Sequence, residues 1–164
     1  MIVRKLNSLF QSFIRKERCP DKLALSFCMG VYIAFSPFVG FHTAMVFFLS
    51  WLFALNLAFT WAISVFINNP WTMIPVYGSG HVLGDGLFYL FGIDGMRFNP
   101  AWVNSLNDYV SYYTGLNGIS LWAFLLGGNL LGIVAGVLLY PFMKRFFTEQ
   151  VRKFKERKKK KKLL

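Results

Sequence analysis

Between Leu23 and Gly84 the chain carries no Asp, Glu, Lys or Arg, and a second uncharged stretch runs from Ile119 to Met143 before Lys144 and Arg145. At 1.5 Å per residue the second stretch reaches about 37 Å, enough to cross about 30 Å of hydrocarbon, so it predicts a C-terminal transmembrane helix. Residues 2–18 follow a different pattern. Ile2, Leu6, Leu9, Phe10, Phe13 and Ile14 recur at helical spacing with Arg4, Lys5, Arg15, Lys16 and Arg18 around them, which predicts an amphipathic helix lying in a membrane interface. From Asp85 to Asn117 the chain turns polar and rich in Asn, Tyr and Gly, which predicts an external loop over about residues 93–118.

Two interruptions divide the long apolar run. Ser36-Pro37 and Asn69-Pro70 each place a favoured N-cap residue before a proline suited to the first helical position, so each predicts a place where one helix stops and another begins. From Lys22 to Ser36 a helix reaches about 21 Å, partway across a bilayer. Ser36 to Thr43, "SPFVGFHT", therefore reads as the tip of a broken or re-entrant segment. Unwound backbone is tolerated at such depth where it lines a protein-enclosed or watered cavity. A proline kink within one continuous span is the competing reading. The stretch "INNPWTMIPVYGSG" repeats the grammar, and interrupted segments at corresponding places point to half-helix N-termini that attract an anion. The candidate ligand-binding residues are Ser36, Pro37, Gly40, His42, Thr43, Asn69, Pro70, Thr72 and, from the last span, Asn129.

Composition supports a membrane body. Of 164 residues 55% are hydrophobic and 15% charged, with a mean hydropathy of +0.46, against about 25% charged in soluble domains. Arg97 is the one basic residue between positions 23 and 143, whereas both ends are strongly basic, which places both termini in the cytoplasm. No cleavable signal peptide is expected, because the apolar stretch begins only at Leu23 and is too long for one. The expected architecture is an all-α polytopic integral membrane protein. It comprises a cytoplasmic amphipathic interfacial helix over 1–22, a membrane domain over 23–143 and a basic cytoplasmic tail over 144–164. The last part of the tail, residues 152–164, is expected to be solvated and held near anionic headgroups; with no interleaved aromatic beyond Phe154 and no binding module, nucleic acid is not an expected partner.

Asn56, Asn69 and Asn129 need bonded partners, since an unsatisfied amide in hydrocarbon costs several kcal/mol. Beside Asn129 run Gly128, Gly132 and Gly136, a ridge that admits close approach of another backbone. It suits either the broken segments of this chain or a homodimer seam. Other chemistry finds little support. His42, His81 and Asp85 could form a two-His, one-carboxylate metal site, but the glycines around His81 leave its helix in doubt. No spacing marks a nucleophile, and paired carboxylates are lacking, so no catalytic residue, metal or cofactor is assigned. Cys19 and Cys28 have no ligand-like neighbours and are read as passive.

The run Gly30 to Leu87 resembles the bacterial membrane family catalogued as domain of unknown function twenty sixty-two. The resemblance rests on Gly30, Pro37, Gly40, His42, Thr43, Asn56, Asn69, Pro70, Thr72, Pro75, Tyr77 and Gly84. It implies a small protein of the bacterial inner membrane, and a glycosyltransferase as a partner, because some members of the family follow such a domain. A family preference for Gln or His at position 42 implies that His42 hydrogen-bonds a broken backbone there and does not ligate a metal. A looser likeness in the Pro-x-x-Gly hairpin is to the small multidrug-export and DedA families, thought to use re-entrant loops in transport. Two functions are expected from these features. One is a transporter or lipid-translocating protein binding an anionic lipid or solute at the broken-helix N-termini; the other is a membrane scaffold or accessory subunit in envelope assembly.

Overall fold

The computed structural model describes residues 17, 19–38, 40–93, 99–114 and 118–162. Among them the chain forms helices α1 (Pro20–Phe35), α2 (His42–Leu52), α3 (Leu57–Ile67), α4 (Pro70–Leu90), α5 (Ala101–Thr114) and α6 (Leu121–Lys162), and no strand. The expected interfacial helix over 2–18 lies outside the described residues apart from Glu17.

Local chemistry explains most of the helix ends. α1 starts with Pro20 in its first turn, followed by Asp21, whose charge suits the positive end of the helix dipole. It stops at Phe35 because Ser36 precedes a proline and adopts an extended conformation (φ −64°, ψ 130°). The stop expected at Ser36-Pro37 is thus present, while the start expected there is not: Ser36 caps the C-terminal end of α1, and the next helix begins only at His42. Asn69-Pro70 does start a helix, as its sequence predicts. The Asn69 side chain accepts from Trp71 N and Thr72 N, and the Thr72 hydroxyl returns to Asn69 N, which completes a capping box. Asn56 caps α3 by accepting from Phe59 N at 3.0 Å.

Two helices close with the same motif built on different residues. Leu55 N reaches Ser50 O and Ala54 N reaches Trp51 O at the end of α2; Ile93 N reaches Phe88 O and Gly92 N reaches Tyr89 O at the end of α4. The left-handed position is Gly92 (φ 65°) in one and Ala54 (φ 48°) in the other.

The packing fixes the direction of each helix. α1 lies antiparallel to α6, with Phe35 beside Gly128 and Gly132, Cys28 beside Gly136, and Asp21 paired to Lys144. α2 turns back beside α1, so that Asn56 N, just beyond it, donates to Ser26 Oγ at 3.0 Å. α3 then runs parallel to α1, with Phe59 at the level of Leu23 and Ile63 against Gly30. α4 is antiparallel to α6, with Gly80 facing Gly128 and Gly84 facing Ala123.

α6 is the one described helix long and apolar enough to cross a membrane. At 42 residues it extends about 63 Å, twice the hydrocarbon thickness, so its charged half projects beyond any span. Part of that half is buried. Phe147 (1% exposed) and Val151 (4%) join Leu23, Ala24 and Phe59 in a buried cluster, with Phe154 packed against it. Their i, i+4, i+7 spacing is an apolar helix stripe that the surrounding lysines hide in a composition count. The rest of the surface is unusually apolar: Trp71, Tyr89, Trp51 and Ile74 are each more than three-quarters exposed.

Candidate functional site

The first break lies between the end of α1 and the start of α2. Gly40 makes its turn possible, with φ at +88°, a region that side-chain-bearing residues rarely enter. Pro37 leans on α6, its ring at 3.0 Å from where a Cβ on Gly128 would stand. Ser36 is fully buried, and its hydroxyl meets the Met45 sulfur at 3.8 Å. His42, the first residue of α2, turns back on the loop, its Nε2 lying 3.0 Å from Ser36 O. The expected bond between His42 and broken backbone is therefore present.

His42 also connects the two breaks. Its Nε2 lies 3.4 Å from Tyr77 Oη, and Tyr77 in turn donates to Asn68 Oδ1 at 3.5 Å. Asn68 is the residue that ends α3. A chain of polar groups thus runs from the end of α1, through the start of α2 and the second turn of α4, to the end of α3. Pairing these groups offsets the cost of keeping carbonyl and amide ends away from water. Tyr77 additionally packs edge-on against Phe124 of α6 (ring centroids 5.4 Å).

The remaining candidates divide into separate places. Asn69, Pro70 and Thr72 build the start of α4, and the Asn69 amide donates to Phe66 O at 3.0 Å while the Thr72 hydroxyl also donates to Ile67 O. Asn129 lies elsewhere: it accepts from Tyr32 Oη at 3.0 Å and donates to Leu125 O at 2.8 Å, which ties α6 to α1. Thr43 faces outward. The glycine ridge is taken up by α1 of the same chain, since Cβ atoms on Gly128, Gly132 and Gly136 would meet Phe35, Tyr32 and Cys28 at 3.1 to 3.4 Å.

Two features escaped the sequence reading. The first is a second glycine seam. A Cβ on Gly84 would collide with the Ala123 carbonyl, and one on Gly127 with Gly80 O and Gly84 N. The adjacent pair Gly127 and Gly128 thereby lets α6 approach α4 on one side and α1 on the other; the Gly80-x-x-x-Gly84 spacing was the available signal. The second is the cap of α6. His81 Nε2 accepts from Ser120 N at 3.1 Å. Asn99 accepts from Leu121 N at 2.9 Å, Asn107 exchanges bonds with Ile119, and Ser120 Oγ accepts from Ala123 N. These groups satisfy donors that a helix start leaves unpaired. His81 is thereby assigned to capping, with no part in the first break.

Comparison with known proteins places this geometry in a family context. The pattern of a family described as an uncharacterised protein conserved in bacteria, DUF2062, matches residues 3–156. No curated protein and no solved structure matches the chain.

Proposed function

The chain belongs to this bacterial family, and from that premise we propose that it is a multi-pass protein of the inner membrane that serves as a scaffold or accessory subunit in envelope assembly. One observation carries the reading: the polar motif groups are spent on the fold itself. His42 and Tyr77 join the two breaks, Asn56 and Asn69 cap helices, and Asn129 binds Tyr32. Gly30 and Gly84 are points of close helix contact.

In the membrane, α1 and α2 form a re-entrant hairpin. α1 spans about 24 Å, less than the hydrocarbon thickness, and α2 returns to the level of Ser26. α3 and α4 then make one broken crossing, and α6 returns. The pairing of Asp21 with Lys144 supports both basic ends lying on the same, cytoplasmic face. A glycosyltransferase remains the partner class implied by the family resemblance.

A second reading, translocation of an anionic lipid or solute, draws on the first break. There Ser36 is buried beside a weak sulfur acceptor, and α2 begins at His42 with no side-chain cap from Phe41 before it. One paired experiment separates the two. Asn69→Ala and Asn129→Ala variants are assayed for complementation of a deletion strain and for the amount of monodisperse, detergent-extracted protein. A scaffold loses activity in proportion to folded protein; a translocator loses activity while the protein remains folded. Topology is tested by Ser105→Cys in a background free of native thiols, where labelling without opening the cytoplasm is expected.

A further inference from the structure

We propose that the groove between α1, α2 and α6 holds one acyl chain of an anionic phospholipid, with the lipid phosphate at the Lys22 and Lys144 end. The inference rests on the membrane reading above. The groove has a volume of about 460 Å³ and an almost wholly carbon wall that includes Leu25, Met29, Leu49, Phe53, Ile133 and Val137. Along α6 it extends from Gly132 to Tyr140, about 12 Å at 1.5 Å per residue. One leaflet of a hydrocarbon core about 30 Å thick is about 15 Å deep, so the groove matches one leaflet.

The carbon wall and the length of the groove suit an unbranched acyl chain, and the charge at one end selects the lipid that carries that chain.

The two ends of the groove are chemically different. At the deep end Tyr32, in the wall, is held by Asn129 through its hydroxyl. At the other end Tyr140 donates to Asp21 Oδ1 at 3.4 Å, and one turn further along the same face Lys144 pairs with Asp21 at 2.8 Å. Lys22 is exposed one turn before Leu25 on α1, and Arg145 follows Lys144. Three cations against one carboxylate leave the mouth positive, at the level where the apolar part of α6 ends. A phosphate there is attracted to these cations while its chain lies along the groove.

The test uses the full chain in nanodiscs containing a trace of phosphatidylglycerol that carries a photoreactive diazirine on its acyl chain. Crosslinks are mapped by mass spectrometry. The expected result is labelling at Leu25, Met29 and Leu49 several-fold denser than at the exposed Trp71 and Ile74. Val137→Trp, which fills the groove from an exposed position, is expected to remove the groove signal and leave Trp71 and Ile74 labelled. Lys144→Gln is expected to lower groove labelling by about fivefold, as loss of one headgroup-facing cation implies. Equal labelling of groove and outer surface overturns the site, and an equal signal from a phosphatidylcholine probe overturns its anionic preference. Crosslinked dimers at the groove assign it to a second copy and also overturn the proposal. Absence of lipid labelling at Trp71 and Ile74 as well as at the groove marks failure of the membrane reading itself, and the proposal falls with it.

Discussion

His42 Nε2 and Tyr77 Oη lie 3.4 Å apart although 35 residues separate them in the chain, and their contact joins one helix break to the other. Each break alone leaves backbone groups that a helix interior would have satisfied. Through the link, Ser36 O gains a donor in His42 and the side-chain oxygen of Asn68 gains one in Tyr77.

Removal of this link is expected to lower stability by about 1–3 kcal/mol in His42→Ala, the range for leaving a buried group unpaired. His42→Gln keeps a donor and is expected to recover most of the loss, and Tyr77→Phe is expected to cost about 1 kcal/mol. Thermal unfolding of detergent-solubilised protein, followed by size-exclusion chromatography, measures all three. An equal loss for Ala and Gln at position 42 would show that imidazole shape, and not its hydrogen bond, holds the loop.

Glycines on one helix are expected to respond in opposite ways. Gly84→Ala and, on α6, Gly127→Ala place a methyl group against facing backbone and should abolish folded, monodisperse protein. Gly78 and Gly86 have open space where a Cβ would stand, so alanine there should be neutral or stabilising, by up to about 1 kcal/mol from helix propensity. Folded yield for the four variants at matched expression decides it; tolerance of alanine at Gly84 and Gly127 refutes the close α4–α6 crossing.

Ala54 occupies the left-handed site that Gly92 fills elsewhere. Ala54→Gly is therefore expected to raise stability by about 1 kcal/mol, the penalty an L-residue carries there. Gly92→Ala should lower it by a similar amount. A lower unfolding temperature for Ala54→Gly would indicate that the methyl group makes packing contacts worth more than the strain.

Acid and alkali are expected to loosen the junction of α1 and α6. The hydrogen bond from Lys144 holds the Asp21 carboxyl below the usual carboxylate range, and the same contact pushes Lys144 above the usual lysine range. The Asp21 contribution is present above its unfolded value of 3.8 and fades as pH falls through the lowered native value. The Lys144 contribution is present below 10.5 and fades as pH rises through the raised native value. Between those limits the pair adds no pH dependence. Both side chains are about half exposed, so the effect is small. Asp21→Asn should flatten the acid limb of a stability-versus-pH curve; an unchanged limb would assign it to other groups.

The sequence alone determined what depends on neighbours in the chain. The apolar, charge-free stretch before Lys144 specified a helix long enough to span a membrane, and Asn69, Pro70 and Thr72 specified a helix start, because capping is completed within one turn. The recurring polar residues of Gly30 to Gly84 identified the family. Tertiary structure decided the rest. Ser36-Pro37 satisfies the same local rule as Asn69-Pro70 yet ends a helix, since Pro37 and Phe35 are held against Gly128 and the chain must turn before α2 can form. Phe147 and Val151 stand among lysines and arginines but become core because α1 and α3 reach that level of α6. The division of labour between Gly127 and Gly128, or between Gly84 and Gly86, depends on which face of each helix meets its neighbour. Adjacent helix positions differ by about 100° in direction, so the partner's place in space selects between glycines that are equivalent in the sequence.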